Sequence, residues 1–88
     1  MKIIKSPISS KKYRAIFDNN KHVDFGAAGY DDYLLTGNEV KKKAYLARHR
    51  VNENWNDPYT AGTLSRYILW NKKTLQESIN DYKKRFGL

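Results

Sequence analysis

Hydrophobic and polar positions alternate in the first part of the chain, which predicts β-strands there. Residues 12–17 and 22–25 each place apolar side chains at every second position, and a polar turn at 18–21 separates them. We therefore predict a β-hairpin over residues 12–25. A two-stranded hairpin is only marginally stable alone, so it must pack on the helices that follow.

The longest helical pattern covers residues 38–55, with Asn38 as N-cap and Glu39 at the positive end of the helix. Apolar residues recur there at i, i+4, i+7, i+11 and i+15 and form one stripe. The stripe consists of Val40, Ala44, Ala47, Val51 and Trp55. We expect it to pack on the rest of the domain, while the basic faces meet water or a polyanion.

Two further helices are predicted over residues 60–70 and 74–86, the second with a capping box from Thr74 to Glu77 and a stop at Gly87. Their apolar faces are, in order, Ala61, Leu64, Tyr67 and Ile68, and Leu75, Ile79, Tyr82 and Phe86. The segment before the central helix is predicted to be an ordered loop that tucks four apolar side chains against the core. These are Tyr30, Tyr33, Leu34 and Leu35.

The predicted fold class is α+β, an N-terminal β-hairpin packed on three helices. With 88 residues the chain fits one domain, residues 12–88, and residues 1–11 form a basic extended arm or a short strand. The absence of cysteine excludes disulfides and zinc–thiolate sites. No apolar run reaches membrane-spanning length or resembles a signal peptide, so we expect an intracellular protein that is not secreted.

The charge of the chain favours a polyanionic partner. Its net charge is +8 and its pI is about 9.8, and clustered Lys and Arg gain affinity for phosphates through counterion release. The candidate nucleic-acid-binding residues lie in the first strand, the central helix and the last turn between helices. They are Lys11, Lys12, Arg14, Lys41, Lys42, Lys43, Arg48, Arg50, Lys72 and Lys73. The plain alternative is a solvated face that keeps the protein soluble.

No motif predicts catalysis, a metal site or a cofactor. His49 and Glu53 are four residues apart and could be half of a metal site or an acid–base pair, but a surface i, i+4 pair is the simpler interpretation. Asp31 and Asp32 could hold a divalent cation, yet no third acidic ligand is placed beside them. The GAAG sequence at 26–29 lacks the pattern of a nucleotide-binding loop. We therefore predict a protein that is not an enzyme.

Two other nucleic-acid hypotheses remain open. The predicted helices around the turn at 71–73 invite a helix-turn-helix interpretation, which would expose a row of polar side chains on the last helix. That row is Gln76, Asn80, Lys83 and Lys84. Exposed Tyr or Trp side chains could stack on single-stranded bases, although their spacing points first to core packing.

Several short motifs resemble a family of small uncharacterised basic proteins encoded by nucleocytoplasmic large DNA viruses, including viruses of algae and amoebae. The motifs lie within residues 22–87 and leave the N-terminal arm outside. They are Phe25-Gly26, Gly29-Tyr30, Arg48-His49, Asn54-Trp55, Ala61-Gly62, Ser65-Arg66, Trp70 and Arg85-Phe86-Gly87. The resemblance implies a viral setting, in the host cell or the virion, and supplies no catalytic residues. Arg48, His49, Asn54 and Arg66 could instead form a buried polar network.

The sequence thus predicts a small, basic, non-enzymatic protein that binds DNA or RNA mainly through the phosphate backbone. The alternative is a structural or adaptor protein, such as a minor virion component, that docks on an acidic protein partner. An exposed apolar patch would favour this alternative. A cleft that joins His49 or Asp31 to other polar groups would favour an enzyme.

Overall fold

A three-stranded antiparallel sheet forms the N-terminal part of the domain. The computed structural model describes all 88 residues. The strands are β1 (Lys2–Lys5), β2 (Lys11–Ile16) and β3 (His22–Ala27), and β2 lies in the middle. The predicted hairpin corresponds to β2 and β3, and the N-terminal residues add β1 as an edge strand. The α+β class is confirmed.

The helical part of the chain wraps one face of this sheet. Its helices are α1 (Tyr33–Thr36), α2 (Glu39–His49), α3 (Ala61–Leu64) and α4 (Leu75–Phe86), and a π-helical segment (Ser65–Leu69) continues α3. The core lies between sheet and helices. Its buried apolar residues are Ala15, Phe17, Phe25, Tyr33, Tyr45, Leu64, Ile68, Leu69, Trp70 and Tyr82. None of the helices is both long and apolar enough to cross a membrane.

Helix α4 has the bounds and the buried face that its sequence indicates. The Thr74 hydroxyl accepts a hydrogen bond from the Glu77 amide at 3.2 Å, and Gly87 ends the helix in the left-handed conformation. Tyr82 is completely buried, and its hydroxyl donates to the carbonyl oxygen of Pro58. This bond ties α4 to the loop that precedes α3.

The predicted packing face of α2 is wrong. Val40 and Val51 are 77% and 74% exposed, and α2 ends at His49 instead of continuing to residue 55. The helix turns Tyr45 into the core, where its ring stacks on Trp70 with 4.5 Å between centroids. A tyrosine ring buries far more area than alanine or valine, so it decides which face packs.

The predicted helix 60–70 is divided. Helix α3 gives way at Ser65 to the π-helical segment, and the Trp70 amide donates to the Ser65 carbonyl oxygen, five residues back, at 3.1 Å. The wider turn places Leu69 and Trp70 together in the core. π-Helical turns are frequent at functional sites, and Ser65 lines the cleft described below.

The loop between β3 and α2 is only partly tucked in. Tyr33 is buried and Leu34 is half-buried, but Tyr30 and Leu35 are exposed, against the prediction for these two residues. The buried Asp32 side chain caps α1 by accepting from the Leu35 amide at 2.9 Å. A four-residue helix therefore replaces part of the expected loop.

Candidate functional site

Lysines from two separate parts of the sequence converge at the start of α2. The Lys42 ammonium donates to the Asn71 carbonyl oxygen at 2.7 Å and lies 4.7 Å from the centroid of the Tyr33 ring. Burial lowers the pKa of Lys42, and the nearby positive charge of Lys72 adds to this effect. The turn at 71–73 is thereby fastened to α2.

The pKa of Glu39 also reports this convergence. A hydrogen bond from the Tyr33 hydroxyl lowers that pKa most, and the positive charges of Lys42, Lys73 and Lys43 lower it further. Lysines 30 residues apart in sequence therefore act on one carboxylate. We call Lys43, Lys72 and Lys73, which are exposed and carry no ion pair, the lysine cluster.

Three of the ten predicted cations are compensated by carboxylates. The ion pairs are Lys12–Asp32, Arg14–Asp24 and Lys41–Asp31. Arg14 donates two hydrogen bonds to the Asp24 carboxylate, each 3.0 Å long, and it lies on the sheet face opposite Ala15. Its charge is thus compensated by Asp24.

Six of the ten cations are exposed and have no side-chain partner within hydrogen-bonding distance. We call them the uncompensated cations. They are Lys11, Lys43, Arg48, Arg50, Lys72 and Lys73. Lys43 and Arg48 lie on α2, and Arg50 directly follows it. Arg48 also lines a cavity beside α2, and Lys11 lines the same cavity from β2.

This cavity, which we call the α2 cleft, has a volume of about 480 Å³ and lies between α2, α3 and the adjoining ends of β2 and β3. Gly26 forms part of its wall with φ +79°, and a Cβ there would lie 2.8 Å from a Leu69 methyl. The cleft has the size typical of small-ligand sites. Both His49 and Asp31 line it together with other polar groups.

One wall of the α2 cleft carries a positioned histidine–glutamate pair. His49 Nδ1 is 3.5 Å from Glu53 Oε1, and the Trp55 indole donates to Glu53 Oε2 at 2.7 Å. The Glu53 carboxyl group rests on Gly62, where an added Cβ would lie 3.1 Å from its carbon and both oxygens. Glu53 is therefore bound by the Trp55 indole and packed on Gly62, and its second oxygen lies beside the imidazole.

The same imidazole ends a stack of three aromatic rings. His49 lies 4.2 Å and Trp70 lies 4.5 Å from the Tyr45 centroid, and both rings are close to parallel with it. Two such rings must occupy opposite faces of Tyr45, since they would overlap on one face. Burial raises the pKa of Tyr45 to about 12. No second aromatic ring stacks on His49, and 40% of its side chain is exposed.

The other sites that the sequence analysis considered are not assembled. Asp31 and Asp32 each bind a lysine, and no three His, Cys, Asp or Glu side chains are grouped to hold a metal ion. On α4, Gln76 and Asn80 bond to each other at 2.9 Å. The π-helical segment also distorts the first helix of the predicted helix-turn-helix pair.

The hypothetical polar network of Arg48, His49, Asn54 and Arg66 does not form either. No hydrogen bond joins these four side chains. Arg66 instead donates to the Trp70 carbonyl oxygen at 3.0 Å, and its Nε has no partner. The four residues therefore act separately, and only Arg48 and His49 line the α2 cleft.

Sequence reasoning missed Tyr45, Gly62, Ser65 and Trp70 as neighbours in one cleft. Tyr45 and Trp55 are the two large aromatic residues of the predicted helix 38–55, and Tyr45, which lies off the predicted stripe, was a usable signal for a different buried face. Nothing in the sequence placed Gly62 against Glu53.

No curated protein and no solved structure is significantly similar to this chain. A family model matches residues 1–49, which include all three strands and the whole of α2. The match takes in the N-terminal strand, outside the stretch of the viral resemblance. On this match, the chain belongs to the family of unknown function DUF5754.

Proposed function

We propose that the protein binds DNA or RNA, mainly through the phosphate backbone, and that it is not an enzyme. The observation that carries this proposal is the set of six uncompensated cations, which form no ion pair, while six of the chain's nine carboxylates lie within ion-pair distance of other cationic groups. Lysines and arginines of this kind bind phosphates without reading the base sequence. No base-reading row of side chains supports sequence-specific recognition.

The α2 cleft does not by itself support an enzymatic function. Its possible acid–base groups are His49 and Glu53, which face each other at 3.5 Å, with Glu53 also accepting from Trp55, and the carboxylates Asp31 and Asp32 are each bound to lysine. An enzyme that transfers a group by acid–base catalysis generally has, besides its base, either an acid that protonates the leaving group or a nucleophile hydrogen-bonded to the base. Binding is the simpler role for this arrangement.

The lysine cluster offers the sharpest test, because its side chains are exposed and form no ion pair. A variant with Lys43→Glu, Lys72→Glu and Lys73→Glu should bind a fluorescent oligonucleotide at least about tenfold more weakly than the parent, measured by anisotropy at low salt. The matched control changes three other exposed lysines to Glu, namely Lys2, Lys5 and Lys84.

Both triple variants carry the same net charge, so a general loss of attraction affects them equally. The proposal requires the cluster variant to lose clearly more affinity than the control. Equal loss in the two variants would mean that the charge has no defined binding surface. Unchanged affinity in a folded cluster variant would refute the assignment of these lysines.

A second candidate function is an adaptor that docks on an acidic protein partner. The observation in its favour is the exposed apolar stripe on α2, where Val40 and Ala44 lie beside Lys43. An acidic amphipathic helix would complement both the apolar stripe and its cationic rim. Val40→Asp should abolish capture of such a helix and leave oligonucleotide binding nearly unchanged, which separates the two functions.

The setting that we propose is a large DNA virus, either its infected host cell or its virion. Only the resemblance over residues 22–87 supports this part of the proposal. Detection of the protein by mass spectrometry in purified virions, against the infected-cell lysate, would decide between a virion component and an intracellular factor.

A further inference from the structure

The α2 cleft differs in kind from the lysine cluster, and this difference suggests a separate role. The cluster consists of exposed lysines, whereas the cleft combines charged groups of both signs with aromatic and apolar walls. Its carboxylates already have partners, because Asp32 binds Lys12, and Glu53 accepts from Trp55. Lys11 and Arg48 are the cleft cations that no carboxylate compensates.

The aromatic stack that lines the cleft can be extended by a further ring at its His49 end. Tyr45 has both faces covered, by Trp70 and by His49, so the stack can be extended only at its ends. The His49 end is partly exposed, whereas Trp70 is 9% exposed. Because the imidazole already stacks on the buried Tyr45 ring and has the Glu53 carboxylate 3.5 Å from Nδ1, it offers a preorganised stacking surface rather than a mobile one.

From these features we propose that the α2 cleft binds a single unpaired nucleotide of a nucleic-acid strand. The base stacks on the outer face of His49, and Arg48 and Lys11 bind the adjoining phosphates. This inference rests on the proposed function and adds to it a substrate class, strands with unpaired bases. A cleft of about 480 Å³ suits one nucleotide.

The cleft cannot take a base that is still paired. A paired base is stacked on both faces, and an enclosed site can receive it only after it has left the duplex, at a cost in free energy. The lysine cluster carries no such restriction, since it contacts phosphates on the outside of either form. The protein should therefore bind a single strand at least about tenfold more tightly than a hairpin duplex of the same length.

The first test uses adenosine 5′-monophosphate as the probe and ¹H–¹⁵N NMR as the readout. The expected result is saturable shifts at the amides of residues that line the cleft, such as Gly26, His49 and Gly62, with smaller shifts from inorganic phosphate alone. Shifts confined to the lysine cluster, or equal effects of phosphate and nucleotide, would overturn the proposal.

Ala61→Trp fills the cleft without removing a charge, and Ala44→Trp adds the same side chain to an exposed position of α2 outside it. Ala61→Trp should abolish nucleotide binding and the preference for single strands while duplex binding persists. Ala44→Trp should behave like the parent. Nucleotide binding at parental affinity in a folded Ala61→Trp variant would refute the site.

His49 variants distinguish stacking from charge. His49→Ala should lose roughly tenfold or more in affinity for the single strand, whereas His49→Phe, which keeps a flat ring, should retain most of it. Equal loss in both variants would contradict the stacking role.

The outcomes also separate this inference from the proposed function. If single strands and duplexes bind equally and the nucleotide does not enter the cleft, the inference fails and nucleic-acid binding stands. If no polynucleotide binds at low salt, the proposed function fails, and the inference that rests on it fails with it.

Discussion

Substitution of Gly62 by alanine should destabilise the protein, although alanine is the better helix former. In an ordinary helix this change gains up to about 1 kcal/mol. Here the new Cβ would lie 3.1 Å from the Glu53 carboxyl carbon and both oxygens, closer than side-chain contacts normally allow. Glu53 must therefore move away from Gly62.

The shift required is a few tenths of an ångström, and we expect that Glu53, which lies between Gly62, Trp55 and His49, makes it by giving up the hydrogen bond from Trp55, which measures 2.7 Å. A hydrogen bond to a charged group contributes about 1.5–3 kcal/mol, and 28% exposure of the Glu53 side chain reduces this to about 1–2 kcal/mol. The loss exceeds the helical gain, so Gly62→Ala should lower the free energy of unfolding by about 0.5–1 kcal/mol. The melting temperature should fall by several degrees.

A double-mutant cycle with Glu53→Ala isolates this contact. In the Glu53→Ala background the obstacle is gone, and Gly62→Ala should stabilise by about 0.5–1 kcal/mol. Urea unfolding followed by tryptophan fluorescence measures all four proteins. A coupling of about 1–2 kcal/mol supports the packing of Glu53 on Gly62, and additivity within about 0.5 kcal/mol would refute it.

Three further predictions concern the fold. Tyr82→Phe leaves the Pro58 carbonyl oxygen without its donor and should lower the free energy of unfolding in urea by about 1–3 kcal/mol. Tyr30→Phe, at a 72% exposed position, should leave that free energy almost unchanged. Equal losses in the two variants would contradict the buried bond. Burial raises the pKa of Tyr82, so its neutral form is stabilising, and the stability should fall as pH rises above about 10, the ordinary tyrosine pKa. An ultraviolet titration should show this tyrosine ionising later than the exposed ones, and simultaneous ionisation of all tyrosines below the unfolding pH would disprove the burial. Hydrogen bonds from Arg14, and then from the Ser6 hydroxyl, lower the pKa of Asp24. Its stabilising effect is therefore present above about pH 4, the ordinary aspartate pKa, and is lost as pH falls below that value. Asp24→Asn should flatten the stability curve below about pH 4, and an unchanged curve would show that the ion pair contributes nothing.

Local signals in the sequence were sufficient for β2, β3 and α4, and they left β1 open between an extended arm and a short strand. In α4 the capping residues, the apolar period and the final glycine all indicate the same bounds, and the structure has Leu75–Phe86. For α2 the period of small apolar residues competed with one tyrosine. Tertiary packing chose Tyr45, because Trp70 supplies a stacking partner that periodicity cannot reveal.

The candidate site was predictable only in part. Exposed lysines on α2 and in the 71–73 turn follow from charge alone, and the structure brings them together around Glu39. Which cations are compensated depends on contacts between distant residues, such as Lys12 with Asp32, 20 positions apart. The α2 cleft likewise exists only because the sheet and three helical segments meet, so no local pattern encodes it.

The salt dependence of oligonucleotide binding tests the central claim most directly. Counterion release gives a slope of roughly −0.7 per phosphate contact for single strands, so the six uncompensated cations limit the slope of log K against log salt to about −4. We predict a linear plot with a slope between about −2 and −4, which becomes shallower by about 2 in the lysine-cluster variant. Absence of binding at low salt, or an affinity that does not change with salt, would contradict nucleic-acid binding through these cations.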